Sequence, residues 1–416
     1  MFAGLFVFMM LLTYAMQLWL ARRQARHVIA HRDVVPPEFA DKVSLEAHRK
    51  AADYTLAKLQ VGFVDRLLGW VVVLGFTLLG GLNALNLFWL NTLGPGIPAG
   101  IALITSVVVI SAAIDLPLQW WSTFKVEERF GFNRMTTALW ITDLVKGAVV
   151  FAVIGLPLVA AVLWLMRTTG DMWWLWAWGV VVGFQALVFM LYPTVIAPLF
   201  NKFEPLADAS LKTRIDDLLK RCGFRAKGLF VMDGSKRSAH GNAYFTGMGS
   251  SKRVVFFDTL IERLTPTEVE AVLAHELGHF KLRHIWKRVG MSMVIALAGL
   301  VLLGWLSQQT WFYLGLGVAP RLDAPNDAVA LVLFVLALPA FTFPFSPLMS
   351  RTSRKHEFEA DAFAAQQADA KSLASALVKL YEDNATTLTP DPLYSAFYHS
   401  HPPARQRLAR LQTVAA

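Results

Sequence analysis

Seven apolar segments of roughly twenty residues each constrain this chain more than any other feature of its sequence. A helix needs about 20 apolar residues to cross the hydrocarbon core of a bilayer. Apolar residues make up 55% of the chain and charged residues only 17%, which favours an α-helical membrane protein over a soluble enzyme. The predicted spans are residues 3–20, 67–90, 99–120, 147–166, 172–199, 289–310 and 327–349.

The distribution of basic residues predicts how these spans are oriented. Lys and Arg concentrate in the cytoplasmic loops of membrane proteins. If the N-terminus lies outside, the inside segments hold 37 of the 39 Lys and Arg residues, and only Arg167 and Arg321 lie outside. These inside segments are residues 21–66, 121–146, 200–288 and 350–416. We therefore expect an outside N-terminus, and an anchor rather than a cleavable signal, because Arg22 and Arg23 follow the first apolar run.

Composition also limits the chemistry. Cys222 is the one cysteine in the sequence, so an intrachain disulfide or a thiolate metal cluster is excluded, and metal ligands must come from His, Asp and Glu. The net charge of +9 is explained by the inside loops. We find no nucleic-acid-binding motif and expect no nucleic-acid partner. The sequence also lacks the internal repeats that many transporters show.

The motif His275-Glu276-Leu277-Gly278-His279 places two imidazoles on one face of a helix. Both can reach a single zinc ion, and Glu276 can take a proton from a water held on that metal. Residues 265–268, Thr-Pro-Thr-Glu, carry the signals that begin a helix. The motif therefore predicts metal-assisted peptide hydrolysis.

A third zinc ligand is required, and a later helix offers one. Over residues 354–363, Glu357 and Asp361 lie four apart and share a helix face, whereas Glu359 is rotated from Glu357 by about 200°. We assign Glu357 as the third ligand and Asp361 as the acceptor for the N–H of a ligand imidazole. The alternative is an ordinary solvated acidic helix.

The segment before the motif predicts a helix over residues 206–221 and short strands over residues 228–233, 242–245 and 254–257. We expect the strand at 242–245 to be an edge strand that holds an extended peptide substrate, the alternative being an ordinary internal strand. Near the C-terminus, His401 is our candidate for binding the oxyanion of the reaction.

Polar residues inside the spans, Asp115 among them, suggest a wet cavity between helices, although an interfacial position explains Asp115 equally well. Six further histidines are assigned surface or structural roles. They are His27, His31, His48, His240, His284 and His356.

The expected organisation alternates between membrane and folded parts. Residues 1–199 form a transmembrane domain of five spans, and residues 289–349 contain two more. Residues 200–288 and 350–416 form the two parts of one cytoplasmic catalytic domain. The metal site predicted above combines side chains from both of these parts.

Seven segments together give this chain a close resemblance to the type 1 CAAX prenyl proteases, which are integral-membrane zinc metalloproteases. The resemblance covers nearly the whole chain. The segments are Phe124–Asn133, Pro198–Phe203, Asp233–Ser238, Asn242–Phe245, His275–His279, Glu357–Asp361 and Ser400–Pro403.

The resemblance implies that His275, His279 and Glu357 bind one zinc ion and that Glu276 is the base. It also implies that Asn242 and His401 flank the substrate. The implied fold has seven transmembrane helices around an intramembrane chamber, closed by a cytoplasmic zinc metalloprotease domain of helices and a small β-sheet. The implied partners are a peptide or protein substrate, prenylated or otherwise membrane-associated, and membrane lipid.

Three further expectations concern the cellular location and two alternative functions. The charge pattern and the lack of organelle signals suggest a bacterial inner membrane, and we expect a monomer. A shorter relative, the HtpX-like membrane protease, shares the zinc helix, so turnover of membrane proteins is an alternative function. A non-catalytic membrane factor that binds a lipid or an anchored partner is another, and the intact zinc motif argues against it.

Overall fold

Residues 1–224, 227–246, 253–321 and 325–415 are described by the structure, a computed structural model. Among these residues, seven helical segments are long and apolar enough to cross a membrane, which confirms the predicted number. The segments are Phe2–Ala30, Leu45–Phe76, Ile97–Glu127, Thr137–Thr168, Gly170–Phe200, His284–Leu306 and Asp327–Gln367.

The α-helices follow one another along the chain, and wider π-helical turns extend or join some of them. In the first half they are α1 (Phe2–Ala30), α2 (Leu45–Phe76), α3 (Gly81–Leu93), α4 (Ile97–Trp121), α5 (Thr137–Val150), α6 (Leu156–Thr168), α7 (Trp173–Leu191) and α8 (Ala197–Phe200). In the second half they are α9 (Ala209–Cys222), α10 (Asp258–Arg263), α11 (Pro266–Lys281), α12 (His284–Leu306), α13 (Thr310–Gly315), α14 (Asp327–Thr342), α15 (Ser346–Gln367), α16 (Ala370–Asp383), α17 (Pro392–Tyr398) and α18 (Ala404–Ala415).

The prediction of a second span over residues 67–90 is wrong. Helix α2 already begins at Leu45 and ends at Phe76, and the chain then turns through Gly80, whose φ is +79°. Helix α3 has 13 residues, so it extends about 20 Å and is too short to cross a bilayer. A hydropathy pattern does not reveal this break, because the residues on both sides of the turn are apolar.

The seventh span and the helix with the predicted third ligand are one nearly continuous segment, not the two separate helices predicted. Helix α14 passes through the short 3₁₀ turn Phe343–Phe345 into α15. Prolines at the first positions of this turn and of α15 are compatible with helical backbone there. The membrane helix therefore leads directly to Glu357 and Asp361, both of which are buried.

The catalytic part contains a four-stranded sheet made of β1 (Phe203–Pro205), β2 (Gly228–Met232), β3 (Ala243–Thr246) and β4 (Arg253–Phe257). The strand order is β1-β2-β4-β3; β2 and β4 are parallel, and the other pairs are antiparallel. Within the described chain β3 is thus an edge strand, as predicted. The three-residue strand β1 was not predicted.

The predicted helix at 206–221 corresponds to α9, whose start is fixed by its cap. The carboxylate of Asp208 accepts hydrogen bonds from the backbone N–H groups of Ser210 and Leu211. The helix ends at Gly223, which has the left-handed conformation common at helix C-termini. Its buried face packs with α11 and the sheet in one hydrophobic core, which is separate from the core between the membrane helices.

A cavity of about 930 Å³ lies among the membrane helices α1, α2, α14 and α15. Its lining is mainly apolar and includes Trp70 and Phe343, with Gln17, Asp65 and Arg66 as polar members. The ring of Phe343 packs against Phe397 and Tyr398 on α17, and Tyr398 lines a second pocket in the catalytic part. The intramembrane cavity and that pocket therefore share a wall.

Candidate metal and catalytic site

Helix α11 presents the His-Glu-x-x-His motif, and its start has the predicted capping box. Thr265 accepts a hydrogen bond from the Glu268 N–H, while the Glu268 carboxylate accepts one from the Thr265 N–H at 2.8 Å. Glu268 also accepts hydrogen bonds from Ser375 and Lys379 on α16, at 2.7 and 2.8 Å. The helix is therefore fixed at its first turn to a neighbouring helix.

The crossing of α11 and α15 is close because Gly278 lies at the contact. A Cβ atom at Gly278 would lie 3.1 Å from the Cα of Ala360 and 3.2 Å from its carbonyl oxygen. Such close approach brings the two motif histidines to the carboxylates of α15. Glycine is required here for space.

Three side chains converge as the ligands of one metal ion would. The Nε2 atoms of His275 and His279 are 3.2 Å apart, and the Glu357 oxygens lie 3.5 Å from the former and 3.3 Å from the latter. Ligand atoms bound tetrahedrally at about 2.1 Å are separated from each other by about 3.4 Å. The oxygen Oε2 of Glu357 is buried and has no hydrogen-bond partner among the described residues. These observations fit a divalent metal, and the donor set of two imidazoles and a carboxylate suits zinc.

Asp361 lies behind His275 and holds its ring. The Nδ1 atom of His275 is 2.9 Å from Oδ1 of Asp361, so the other ring nitrogen faces Glu357. Asp361 is in turn held by Arg407 on α18, whose Nη2 and Nε donate to the two carboxylate oxygens at 2.6 and 2.8 Å. Burial lowers the pKa of His275, but its contacts with Asp361 and Glu357 outweigh burial and raise that pKa to about 9.

Glu276 lies on α11 directly after His275 and lines a pocket of about 440 Å³. Burial raises the pKa of its carboxyl group, although the charges of His275 and His279 act in the opposite direction. A carboxylate with a raised pKa beside the metal ligands is suited to accept a proton and release it again.

The same pocket contains the two residues expected to flank the substrate. The exposed Asn242 lies immediately before β3, and its Oδ1 accepts a hydrogen bond from the Ala243 N–H at 2.8 Å. Nε2 of His401 is 3.5 Å from Oε1 of Glu357, and the His401 side chain is 63% exposed. Arg354 fixes the loop before His401 by donating to the carbonyl oxygen of His399 at 3.0 Å.

The structure thus brings all seven predicted site residues into one region: His275, Glu276, His279, Glu357, Asp361, Asn242 and His401. Three further residues at the site, Arg407, His284 and Glu359, are not among the predicted site residues. Arg407 is 46 residues from Asp361 and belongs to no local pattern. His284 contacts His279 with their Nδ1 atoms 3.0 Å apart, and Glu359 contacts His284.

Comparison with known proteins identifies the family of both parts of the chain. A family model described as the CAAX prenyl protease N-terminal region, with five membrane helices, matches residues 24–202. The model of peptidase family M48 matches residues 205–415.

Relatives of similar length match nearly the whole chain. A CAAX prenyl protease 1 homolog from Oryza sativa is 34% identical over 97% of this chain and 95% of its own. CAAX prenyl protease 1 of Saccharomyces cerevisiae is 34% identical over 91% of this chain and 89% of its own. The crystal structure of S. mikatae Ste24p superposes with a TM-score of 0.91 at 31% identity and covers 99% of both chains.

These relatives are eukaryotic, so the expectation of a bacterial source finds no support in them. That expectation rested on the charge pattern and the lack of organelle signals. Neither feature is specific to bacteria. The matches cover both the membrane helices and the catalytic part. The chain therefore belongs to peptidase family M48, as a membrane-embedded zinc metalloprotease of the CAAX prenyl protease family.

Proposed function

We propose that this chain is an endopeptidase that cleaves near the C-terminus of prenylated, CAAX-type peptides or of other membrane-associated peptides. The convergence of His275, His279 and Glu357 at 3.2–3.5 Å is the observation that carries the proposal. The names of the relatives support the substrate class.

His275, His279 and Glu357 would hold the zinc ion. Zinc bound there would act as a Lewis acid and make a water molecule more acidic. Glu276 takes the proton from the attacking water and passes it to the leaving amine. Asp361, itself held by Arg407, fixes the His275 ring so that Nε2 faces the metal site.

Asn242 and His401 act on the substrate side of the pocket. The Asn242 amide group and the His401 ring donate hydrogen bonds toward the oxygen that becomes negatively charged during attack. Among the described strands, the neighbouring β3 pairs with β4 alone, so its other edge could take up an extended peptide as an additional strand. The scissile peptide bond would then lie between β3 and helix α11.

The shared wall between the two cavities supports a membrane-associated substrate. The apolar intramembrane cavity can accept a lipid-like chain, while the peptide attached to it reaches the pocket past Phe343 and Tyr398. One substrate molecule would thus occupy both cavities of a single monomer.

We further propose that the N-terminus lies outside and that residues 200–288 and 350–416 form one cytoplasmic catalytic domain, joined by the membrane helices between them. The unequal distribution of Lys and Arg supports this orientation. A reporter fused after residue 310 should be outside the cytoplasm. Cytoplasmic activity of that reporter would contradict the orientation.

The test of the function compares Glu276→Gln with the exposed control Glu262→Gln in the purified full chain. We expect Glu276→Gln to lower kcat/KM for a farnesylated CAAX peptide by at least about 100-fold, because the base is lost. Zinc content should stay at one ion per chain in both variants. Undiminished cleavage by Glu276→Gln would refute the assigned base, and equal cleavage of the unprenylated peptide would refute a requirement for the prenyl group.

A further inference from the structure

A second cluster of titratable side chains lies beside the proposed metal ligands. It consists of His284, the first residue of α12, together with His356 and Glu359 on α15. His284 is 1% exposed and His356 is 8% exposed. The mechanism described above uses none of the three.

Two short contacts link His279 to His284, and His284 to Glu359. Nδ1 of His279 is 3.0 Å from Nδ1 of His284, and Nε2 of His284 is 2.8 Å from Oε2 of Glu359. If Nε2 of His279 offers its lone pair to a metal, its Nδ1 must carry the proton. Nδ1 of His284 then accepts this proton's hydrogen bond, and its Nε2–H donates to Glu359. This assignment satisfies every contact with both rings neutral.

The chain reaches this arrangement through an uncommon turn. Residues 279 and 284 would lie about 140° apart around a continuous helix and could not meet. Helix α11 ends at Lys281, and Arg283 adopts the left-handed conformation with φ of +58°. A residue other than glycine is disfavoured in that conformation. The turn places the His284 ring against His279.

Helix α15 contacts the motif histidines from two sides. Asp361 holds Nδ1 of His275, and Glu359 holds His284, which in turn meets Nδ1 of His279. Both imidazoles are therefore fixed through Nδ1 and face each other through Nε2. We propose that the pair Glu359 and His284 is a positioning relay that sets the tautomer and the ring orientation of His279. This inference rests on the proposed role of His279 as a zinc ligand.

A second metal site at the cluster is the competing explanation, and the ring geometry argues against it. The His284 and His356 rings are stacked, with centroids 4.1 Å apart and planes 11° from parallel. A metal ion bound to an imidazole lies in the plane of the ring, where the nitrogen lone pair points. Two nearly parallel planes at this separation offer no common position for one ion. Both nitrogens of His284 are also engaged already.

The test measures zinc affinity of the purified full chain by competition with a chromophoric chelator, which requires no turnover. We expect His284→Leu to weaken zinc binding by about 10- to 100-fold, the usual cost of losing such a supporting contact. His284→Asn should stay within about threefold of wild type, because Oδ1 of asparagine can accept the same hydrogen bond. The matched control His356→Phe keeps the stacked ring and should leave the affinity unchanged.

A spectroscopic signature separates positioning from simple packing. With cobalt(II) in place of zinc, the N–H proton of each ligand imidazole gives a shifted NMR signal that exchanges with solvent. We expect one such signal to exchange faster in His284→Leu but not in His356→Phe. If His284→Leu does not fold, Glu359→Leu decides, since it removes the acceptor for the His284 Nε2–H and should weaken zinc binding several-fold.

Wild-type affinity and an unchanged cobalt(II) spectrum in His284→Leu, or in Glu359→Leu if that variant must be used, would overturn the relay. A second zinc equivalent in wild type that disappears in His356→Phe would overturn it in favour of a metal site. Absence of zinc binding by the wild type would overturn the proposed function as well, so the two failures are distinguishable.

Discussion

At the residue scale, the position of His401 leads to a specific prediction. His401 borders the pocket, and its Nε2 lies 3.5 Å from Glu357, yet the proposed ligand set does not need it. We expect His401→Ala to lower kcat by about 100-fold or more, because one donor to the developing oxyanion is lost. Zinc affinity and KM should change little. A variant that loses zinc in proportion to activity would show instead that His401 supports the metal.

Local spacing explains why some site residues could be predicted and others could not. His275 and His279 belong to one helix, so a spacing of four is enough to place them together. Glu357 and Asp361 repeat that pattern. Arg407 carries no comparable signal, because its contact with Asp361 depends on how α18 packs. Glu359 was predicted to lie on a different helix face from Glu357. In the structure it contacts His284.

At the element scale, the crossing of α11 and α15 should be sensitive to a single methyl group. We expect Gly278→Ala to weaken zinc binding by about tenfold, because the added Cβ meets backbone atoms of Ala360 and moves the two sets of ligands apart. The control is Gly290→Ala on α12, where an added Cβ meets no described atom within 4 Å. Equal zinc affinity in both variants would contradict the importance of this close approach.

The stability of helix α11 should also depend on Glu268, which forms the capping box with Thr265. Burial raises the pKa of Glu268, but hydrogen bonds from Lys379, Ser375 and Thr265 outweigh this and lower it. We expect Glu268→Gln to lower the free energy of unfolding by about 1–3 kcal/mol, seen as a lower Tm in detergent.

The pH dependence of this effect has a defined sign. A depressed carboxyl pKa stabilises the fold above the unfolded value, and that stabilisation is lost as pH falls through the folded value. The Tm difference between wild type and Glu268→Gln should therefore be full at neutral pH and shrink in acid. Glu262→Gln, at an exposed position on α10, is the control. A difference that persists unchanged in acid would show that the Glu268 charge contributes nothing.

The helices themselves were only partly predictable. Hydropathy identified seven spans because each contains enough apolar residues to cross a bilayer. It did not locate the ends of every span. It could not place the turn at Gly80, since α3 is as apolar as a span and only its length of 13 residues differs. Nor could it show that α14 and α15 continue into each other, because the polar sequence of α15 looks like a separate soluble helix.

At the scale of the whole molecule, the catalytic site combines two parts of the chain that membrane helices separate. Helix α11 precedes α12, a membrane span, and α15 continues from α14, another span. The position of Glu357 relative to the two histidines is therefore tied to the packing of the membrane helices. This arrangement explains how an intramembrane cavity and a hydrolytic pocket can share a wall.

The most direct test of this account is a crystal structure of the purified wild-type chain with anomalous data collected on both sides of the zinc absorption edge. We expect one anomalous peak, about 2 Å from Nε2 of His275, from Nε2 of His279 and from the Glu357 carboxylate. A strong peak at any other position, or a Glu357 side chain remote from the two imidazoles, would contradict the central claim.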